Sequence, residues 1–260
     1  MASKDYKAFI VEGEAREPKI IKNISEVFFK KGNIKILTLP AGENIYMLWK
    51  KLKEDEFDTD IIEILRESNH ELREKLKGLS RVDFSEVYLF FDYDVHQNNI
   101  GDYDEDVVYE MLKCFDNETE SGKLYINYPM VEALRDYILG VCGEKINCYV
   151  KIEDIGKYKE ISAKRSNSHH FNKFDYEGWK GIIDVFSMRI SCLFELIDTM
   201  AYDNYSESVN PLEIYVLEKK KKDEKGVFVL SAFPEFLVDY FGIRLWNSCV
   251  RHSKYGCNMH

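Results

Sequence analysis

Residues 86–94 read Glu-Val-Tyr-Leu-Phe-Phe-Asp-Tyr-Asp, five apolar or aromatic residues in a row cut short by an acid. A short apolar run without alternation is what a strand covered on both faces requires. Where extended chain continues past Phe91, residues two apart project to the same side. Asp92 and Asp94 can then aim at one ion while Tyr93 points away. An earlier stretch repeats the arrangement: Lys7–Val11 (KAFIV) is an apolar run that passes directly into Glu12-Gly13-Glu14. Gly13 lets the backbone turn tightly or approach a phosphate, which a Cβ would hinder.

Outward from these two strands the chain alternates apolar runs with helical periodicity. Pro18 opens a helix through about Phe29, and Asn33–Leu37 reads as a strand. Gly42–Lys53 and Asp58–Leu76 read as amphipathic helices, so residues 42–78 form a helical insertion. A helix at Tyr103–Cys114, a strand at Lys123–Ile126, a helix after Pro129 and a strand at Ile146–Val150 complete the series. The expected fold is α/β: a Rossmann-like, mainly parallel sheet flanked by helices, spanning residues 1–150. In such sheets the working residues lie beyond the carboxyl ends of the strands. From Lys151 the pattern changes. Residues 155–174 are a polar stretch, Tyr176–Met200 reads as one long helix, and Pro211 marks a break. A strand or short helix at Ile214–Leu217, a strand at Gly226–Leu230 and a helix from Pro234 close the chain. Residues 151–260 are therefore expected to be a mostly helical extension packed on the sheet domain.

With 260 residues, 45% of them hydrophobic and 14% aromatic, the chain can bury a real core and is not disordered. Its formal charge of -10 argues against an all-over basic nucleic-acid coat and against a membrane-surface protein. Resolved by segment, the charge says more. Residues 92–120 carry ten acids and one base, whereas residues 155–174 carry five bases and one acid. In the latter, Lys157, Lys159, Lys164, Arg165 and Lys173 stand among Asn, Ser, His169, His170 and Phe171, a composition suited to phosphate contact and base stacking. Lys219–Lys222 is flanked by Glu218, Asp223 and Glu224 and reads as a solvated edge. The first residues have too short an apolar stretch for a signal peptide, and no run approaches the ~18–20 apolar residues of a membrane span. The six cysteines contain no Cys-x-x-Cys pair, so reduced thiols in a cytoplasm are expected. Cys249, His252, Cys257 and His260 offer four zinc-competent ligands at short spacing, against which stands a buried cysteine with a frayed tail.

Clustered acids at the mouth of a buried sheet repel one another unless a cation neutralises them. Mg²⁺ does so with hard oxygen ligands, commonly one or two carboxylates plus substrate phosphate. Two such ions ~3.5–4 Å apart stabilise both the attacking and leaving oxygens of phosphodiester cleavage. A strand leading into Glu-Gly, followed by a strand leading into Asp-x-Asp, resembles the signature of TOPRIM domains, found in topoisomerases, primases and OLD-type nucleases. IVEGEAREP is similar to the E-G-x-x-T-E-P opening of RloB-like, defence-associated TOPRIM proteins, with Arg16 where those often have Thr. Leu124–Leu134 (LYINYPMVEAL) is similar to a block in TOPRIM proteins of anti-phage loci related to the AriB effectors of PARIS systems.

The resemblance covers about residues 7–150. It implies a Mg²⁺- or Mn²⁺-dependent nuclease of RNA, including tRNA, or of DNA. Glu12 would be a metal ligand or general base, Asp92 and Asp94 metal ligands, and Glu132 a fourth carboxylate. Glu14 and Glu17 are secondary candidates, and His96 could shuttle a proton or contact phosphate. The resemblance further implies a toxic effector restrained by a partner ATPase or sensor, with a homodimer open to it. Two alternatives stand beside it. FFDYDV also fits the local pattern of haloacid-dehalogenase-like phosphatases, although that motif normally opens its domain. A catalytically silent TOPRIM-like binding module is the other.

Overall fold

The structure, a computed structural model, describes residues 6–30, 34–93, 106–137, 148–166, 173–196 and 201–250. In chain order they form β1 (Tyr6–Val11), α1 (Glu17–Phe28), β2 (Lys35–Pro40), α2 (Ile45–Glu54), α3 (Ile61–Ser68), α4 (His70–Lys75), β3 (Phe84–Asp92) and α5 (Val107–Cys114). There follow β4 (Asp116–Asn117), β5 (Gly122–Asn127), β6 (Tyr149–Val150), α6 (Tyr158–Arg165), α7 (Tyr176–Leu193), α8 (Tyr202–Ser208), α9 (Pro211–Lys225), β7 (Val227–Phe228) and α10 (Ala232–Cys249).

The two apolar runs are the centre of an α/β sheet. Ala8 to Val11 on β1 and Val87, Leu89, Phe90 and Phe91 on β3 are fully buried, as strands covered on both faces must be. The two strands run parallel with Ala8 opposite Val87 and Val11 opposite Phe90. Lys7 stands opposite Glu86 and forms an ion pair with it, and the Tyr88 hydroxyl donates to the same carboxylate at 2.8 Å. A one-residue slip would turn Lys7 into the opposite face, so this pair helps to fix the register. β2 flanks β1 on its other side, also parallel, and the five strands follow the order β2-β1-β3-β5-β4, with β4 antiparallel to β5.

The chain packs as two compact units. Among the described residues the first holds 6–91 and 106–124, and the second holds 92–93 and 125–250. In the first unit the expected insertion at 42–78 is helical, and side chains start its helices. Asn44 accepts from the Met47 amide at 3.1 Å, Asp60 from Ile62 at 2.8 Å, and Asn69 from Leu72 at 2.8 Å. α2 buries Ile45, Leu48, Trp49 and Leu52, one face at helical spacing.

The second unit departs from expectation in several places. The two units divide between Leu124 and Tyr125 rather than at residue 150: among the described residues, 125–137 and 148–150 pack with the C-terminal chain. Tyr128 exchanges backbone hydrogen bonds with Leu230 at 2.9 and 3.0 Å, the Val229 amide donates to the Cys148 carbonyl at 2.7 Å, and β6 pairs antiparallel with β7. Of the strand expected at Ile146–Val150, the described part, β6, thus belongs to a separate two-stranded sheet. The helix read after Pro129 is a short 3-10 turn, Val131–Arg135. α7 buries Trp179, Ile182, Ile183, Phe186, Ile190 and Leu193 but ends at Leu193, short of Met200, and Glu195 turns the chain with a φ of 59°. Pro211 opens a helix rather than breaking one, so Ile214–Leu217 and the lysine run lie on α9. α10 kinks at Gly242, whose φ is 63°. Among the described residues, no helix is long and apolar enough to cross a membrane.

Candidate functional site

Glu12 follows directly on β1. Its amide donates to the Phe90 carbonyl at 3.3 Å, carrying the β1–β3 pairing one residue past Val11. Its carbonyl accepts from the Gly42 amide at 3.0 Å, and Ala41 donates to Val11 at 2.8 Å, so the exit of β2 holds the same turn. The Glu12 backbone is therefore fixed on both sides while its side chain is half-buried. The next residue, Gly13, lies against the carboxylate of Glu17. Glu17, buried at the start of α1, accepts from the Gly13 amide at 3.2 Å, and a Cβ on Gly13 would meet that carboxylate at 2.8 Å. Glu17 thus closes the turn, whereas Glu14 is exposed.

Asp92 closes β3 and belongs to the second unit. Its Oδ1 accepts from Asn127 Nδ2 at 3.2 Å, and the Tyr93 amide donates to the Asn127 carbonyl at 2.9 Å. Tyr93 is buried, its ring 5.2 Å from that of Tyr128 and 6.1 Å from that of Tyr215. Asp94 and His96 lie outside the described residues. Glu12 and Asp92 each follow or end one of two neighbouring parallel strands, whereas Glu132 sits in the 3-10 turn after the cis Tyr128–Pro129 peptide, fully buried. Among the described residues, no three His, Cys, Asp or Glu side chains group as a metal centre would. The carboxylate oxygens of Glu12 and Asp92 are nonetheless the hard donors that Mg²⁺ or Mn²⁺ selects.

The second unit buries further acids. Glu218 on α9 is 1% exposed and accepts from the Phe228 amide at 3.1 Å; burial pushes its carboxyl well above the ordinary carboxylate range. Burial likewise raises the Tyr128 hydroxyl, with Glu218 and Glu235 adding to the effect.

The basic stretch resolves into two kinds of residue. Lys157, Lys159, Lys164 and Lys173 are exposed. Arg165 is engaged within the fold: its guanidinium pairs with the buried Asp136 at 3.3 Å, and Tyr158 donates to the same carboxylate at 3.0 Å. Arg135 donates to Ser162 Oγ at 2.9 and 3.0 Å. Within the polar stretch the described residues 155–165 form the end of a 3-10 turn followed by α6, held by charged anchors rather than an apolar stripe. Cys249, the first of the four zinc-competent residues, is buried on α10 with its thiol pushed up by burial; His252, Cys257 and His260 lie outside the described residues.

The residue that sequence reading passed over is Asn127. The only signal for it is a polar side chain ending the apolar run Leu124-Tyr125-Ile126. No protein-family model, curated protein or solved structure matches the chain. Fold and strand ends together describe an α/β protein with a mostly parallel five-stranded sheet.

Proposed function

We propose that the chain is a divalent-metal-dependent nuclease that cleaves phosphodiester bonds in RNA or DNA, with Glu12, Asp92 and Asp94 as its acidic core. The observation that carries this reading is that β1 and β3 are parallel neighbours whose apolar runs, Ala8–Val11 and Val87–Phe91, are buried and lead in sequence directly into acidic motifs. Mg²⁺ or Mn²⁺, held by those carboxylates, would neutralise their mutual repulsion and polarise the phosphate. The chain's own contribution is orientation and proton transfer. Glu12, its backbone tied to Phe90 and Gly42, accepts the proton of the attacking water on its carboxylate. The exposed Lys157, Lys159, Lys164 and Lys173 contact substrate phosphates. Arg165 is committed to Asp136 and serves the fold. A toxic role in phage defence, held in check by a partner protein, belongs to the same proposal and rests on the TOPRIM resemblance.

The test is cleavage of plasmid DNA, single-stranded RNA and tRNA by the purified full chain, with Mg²⁺, Mn²⁺ or EDTA. Metal-dependent cleavage is expected, reduced about 10²–10⁴-fold by Glu12→Ala and strongly by Asp92→Asn. Cleavage indifferent to both substitutions overturns the proposal. So does hydrolysis of a small phosphomonoester that Asp92→Asn abolishes and Glu12→Ala leaves untouched, the behaviour of a phosphatase.

A further inference from the structure

We infer that Asn127 is a positioning residue for the Asp92 carboxylate, coupling the proposed metal site to the amino-terminal end of α10; the inference rests on the metal-dependent reading above. Asn127 ends β5 and is 1% exposed. A buried amide is tolerated only when its donors and acceptors are satisfied. Here they are satisfied by two distant parts of one unit. The Asn127 Oδ1 accepts from the Ala232 amide at 3.0 Å and from Ser231 Oγ at 3.4 Å, while Nδ2 donates to Asp92 Oδ1 at 3.2 Å. The direction of the side chain follows from chemistry. A peptide N–H can only donate, so the atom facing Ala232 is the oxygen, and the arm facing Asp92 is the NH₂ group.

That donor occupies one oxygen of Asp92, which sets how the group is turned toward a ligand. The Asn127 carbonyl accepts from the Tyr93 amide at 2.9 Å, so a single residue holds both the side chain of Asp92 and the backbone that follows it. Asp and Ser both lack this combination. Asp would set an oxygen against the Asp92 oxygen, and Ser is too short to bridge Asp92 and Ala232. The segment Val229–Ala232 is in turn held by its bonds to Tyr128 and Cys148. The C-terminal chain thereby supplies the support of an acid that lies more than 130 residues earlier in the sequence.

The experiment is Mn²⁺ titration of the full chain, followed by electron paramagnetic resonance, for wild type, Asn127→Ser, Asp92→Asn and the double variant. Metal-free melting curves are recorded for each, so that stability and affinity are read separately. Removal of an outer partner of a metal ligand is expected to weaken Mn²⁺ binding about 10–100-fold. In the Asp92→Asn background the Asn127 substitution is expected to add nothing, because the effect runs through Asp92. An Asn127→Ser protein with a lowered Tm and wild-type Mn²⁺ affinity overturns the inference and leaves the metal site standing. Wild type that binds no Mn²⁺ removes the metal reading and the inference with it. Should Asn127→Ser fail to fold, the wild-type protein decides the matter. Its Asn127 side-chain amide resonances are expected to shift on Mg²⁺ titration with the midpoint of binding, and unmoved resonances overturn the inference.

Discussion

Glu218 shows how a single carboxyl makes stability depend on pH. It is 1% exposed, and burial raises its pKa well above the 4.5 of an ordinary glutamate. The unfolded chain therefore releases this proton first as pH rises through about 4.5, while the folded chain still holds it. Ionisation over that window favours the unfolded state. The contribution is fully present below pH 4.5 and is lost progressively until Glu218 ionises in the fold. Glu218→Gln keeps an oxygen for the Phe228 amide and removes the titration. The Tm of the variant, relative to wild type, is expected to rise steadily from pH 4.5 toward neutrality; a difference constant with pH would mean that Glu218 does not titrate as described. Residues of this kind are poorly legible in sequence. Glu218 stands next to four lysines and reads as part of a solvated edge, and Asn127 reads only as the end of a strand. Both are identified by what surrounds them across the fold. Glu12 and Asp92 were legible because each interrupts an apolar run.

Elements were legible in proportion to how much their stability is local. β3 was read to within two residues because five consecutive apolar side chains leave little else for that segment to be. α7 is legible as a helix because Trp179, Ile182, Ile183 and Phe186 recur at helical spacing. At α9 the sequence leaves strand and short helix both open, because Ile-Tyr-Val-Leu is a short apolar run whose period does not separate the two, and Pro211 serves equally as a breaker and a first-turn residue. α6 left no such signal. It buries only Tyr158 and Ser162, so it carries no apolar stripe, and its fixation comes from Arg135 and Asp136 outside the helix. Asp136→Ala tests that account. The fully buried Tyr158 hydroxyl would lose its acceptor and Arg165 its ion pair. The expected loss is about 1–3 kcal/mol, read from the urea midpoint, with hydrogen exchange accelerating in α6 ahead of α7. Equal protection in α6 of wild type and variant would show that the helix is held by something else.

At the scale of the molecule, charge and connectivity both had to be resolved by segment. The net charge of -10 is almost matched by residues 92–120 alone, and the exposed lysines at 157, 159, 164 and 173 belong to a separate basic segment of the sequence. Connectivity corrected the sequence reading more deeply. A boundary at residue 150 follows from where the strand-helix alternation ends, but strand-helix alternation does not say which segments share a core. In the second unit Tyr125 donates to Asp239, Tyr128 pairs with Leu230, Cys148 accepts from Val229, and Tyr149 stacks edge-on to Phe228 at 4.7 Å between ring centres. A chain ended after Val150 would leave Tyr125, Tyr128 and Cys148, all buried in the whole protein, without those partners. Large apolar surfaces left open in this way drive association rather than folding. Such a chain is expected to aggregate on expression, and no cooperative melting of residues 125–150 should be seen. If it instead melts cooperatively, with residues 125–150 as protected from hydrogen exchange as in the full chain, then the sheet domain is self-sufficient to residue 150. Asp92 would in that case keep its place without α10, and the support that Asn127 draws from Ser231 and Ala232 would be dispensable.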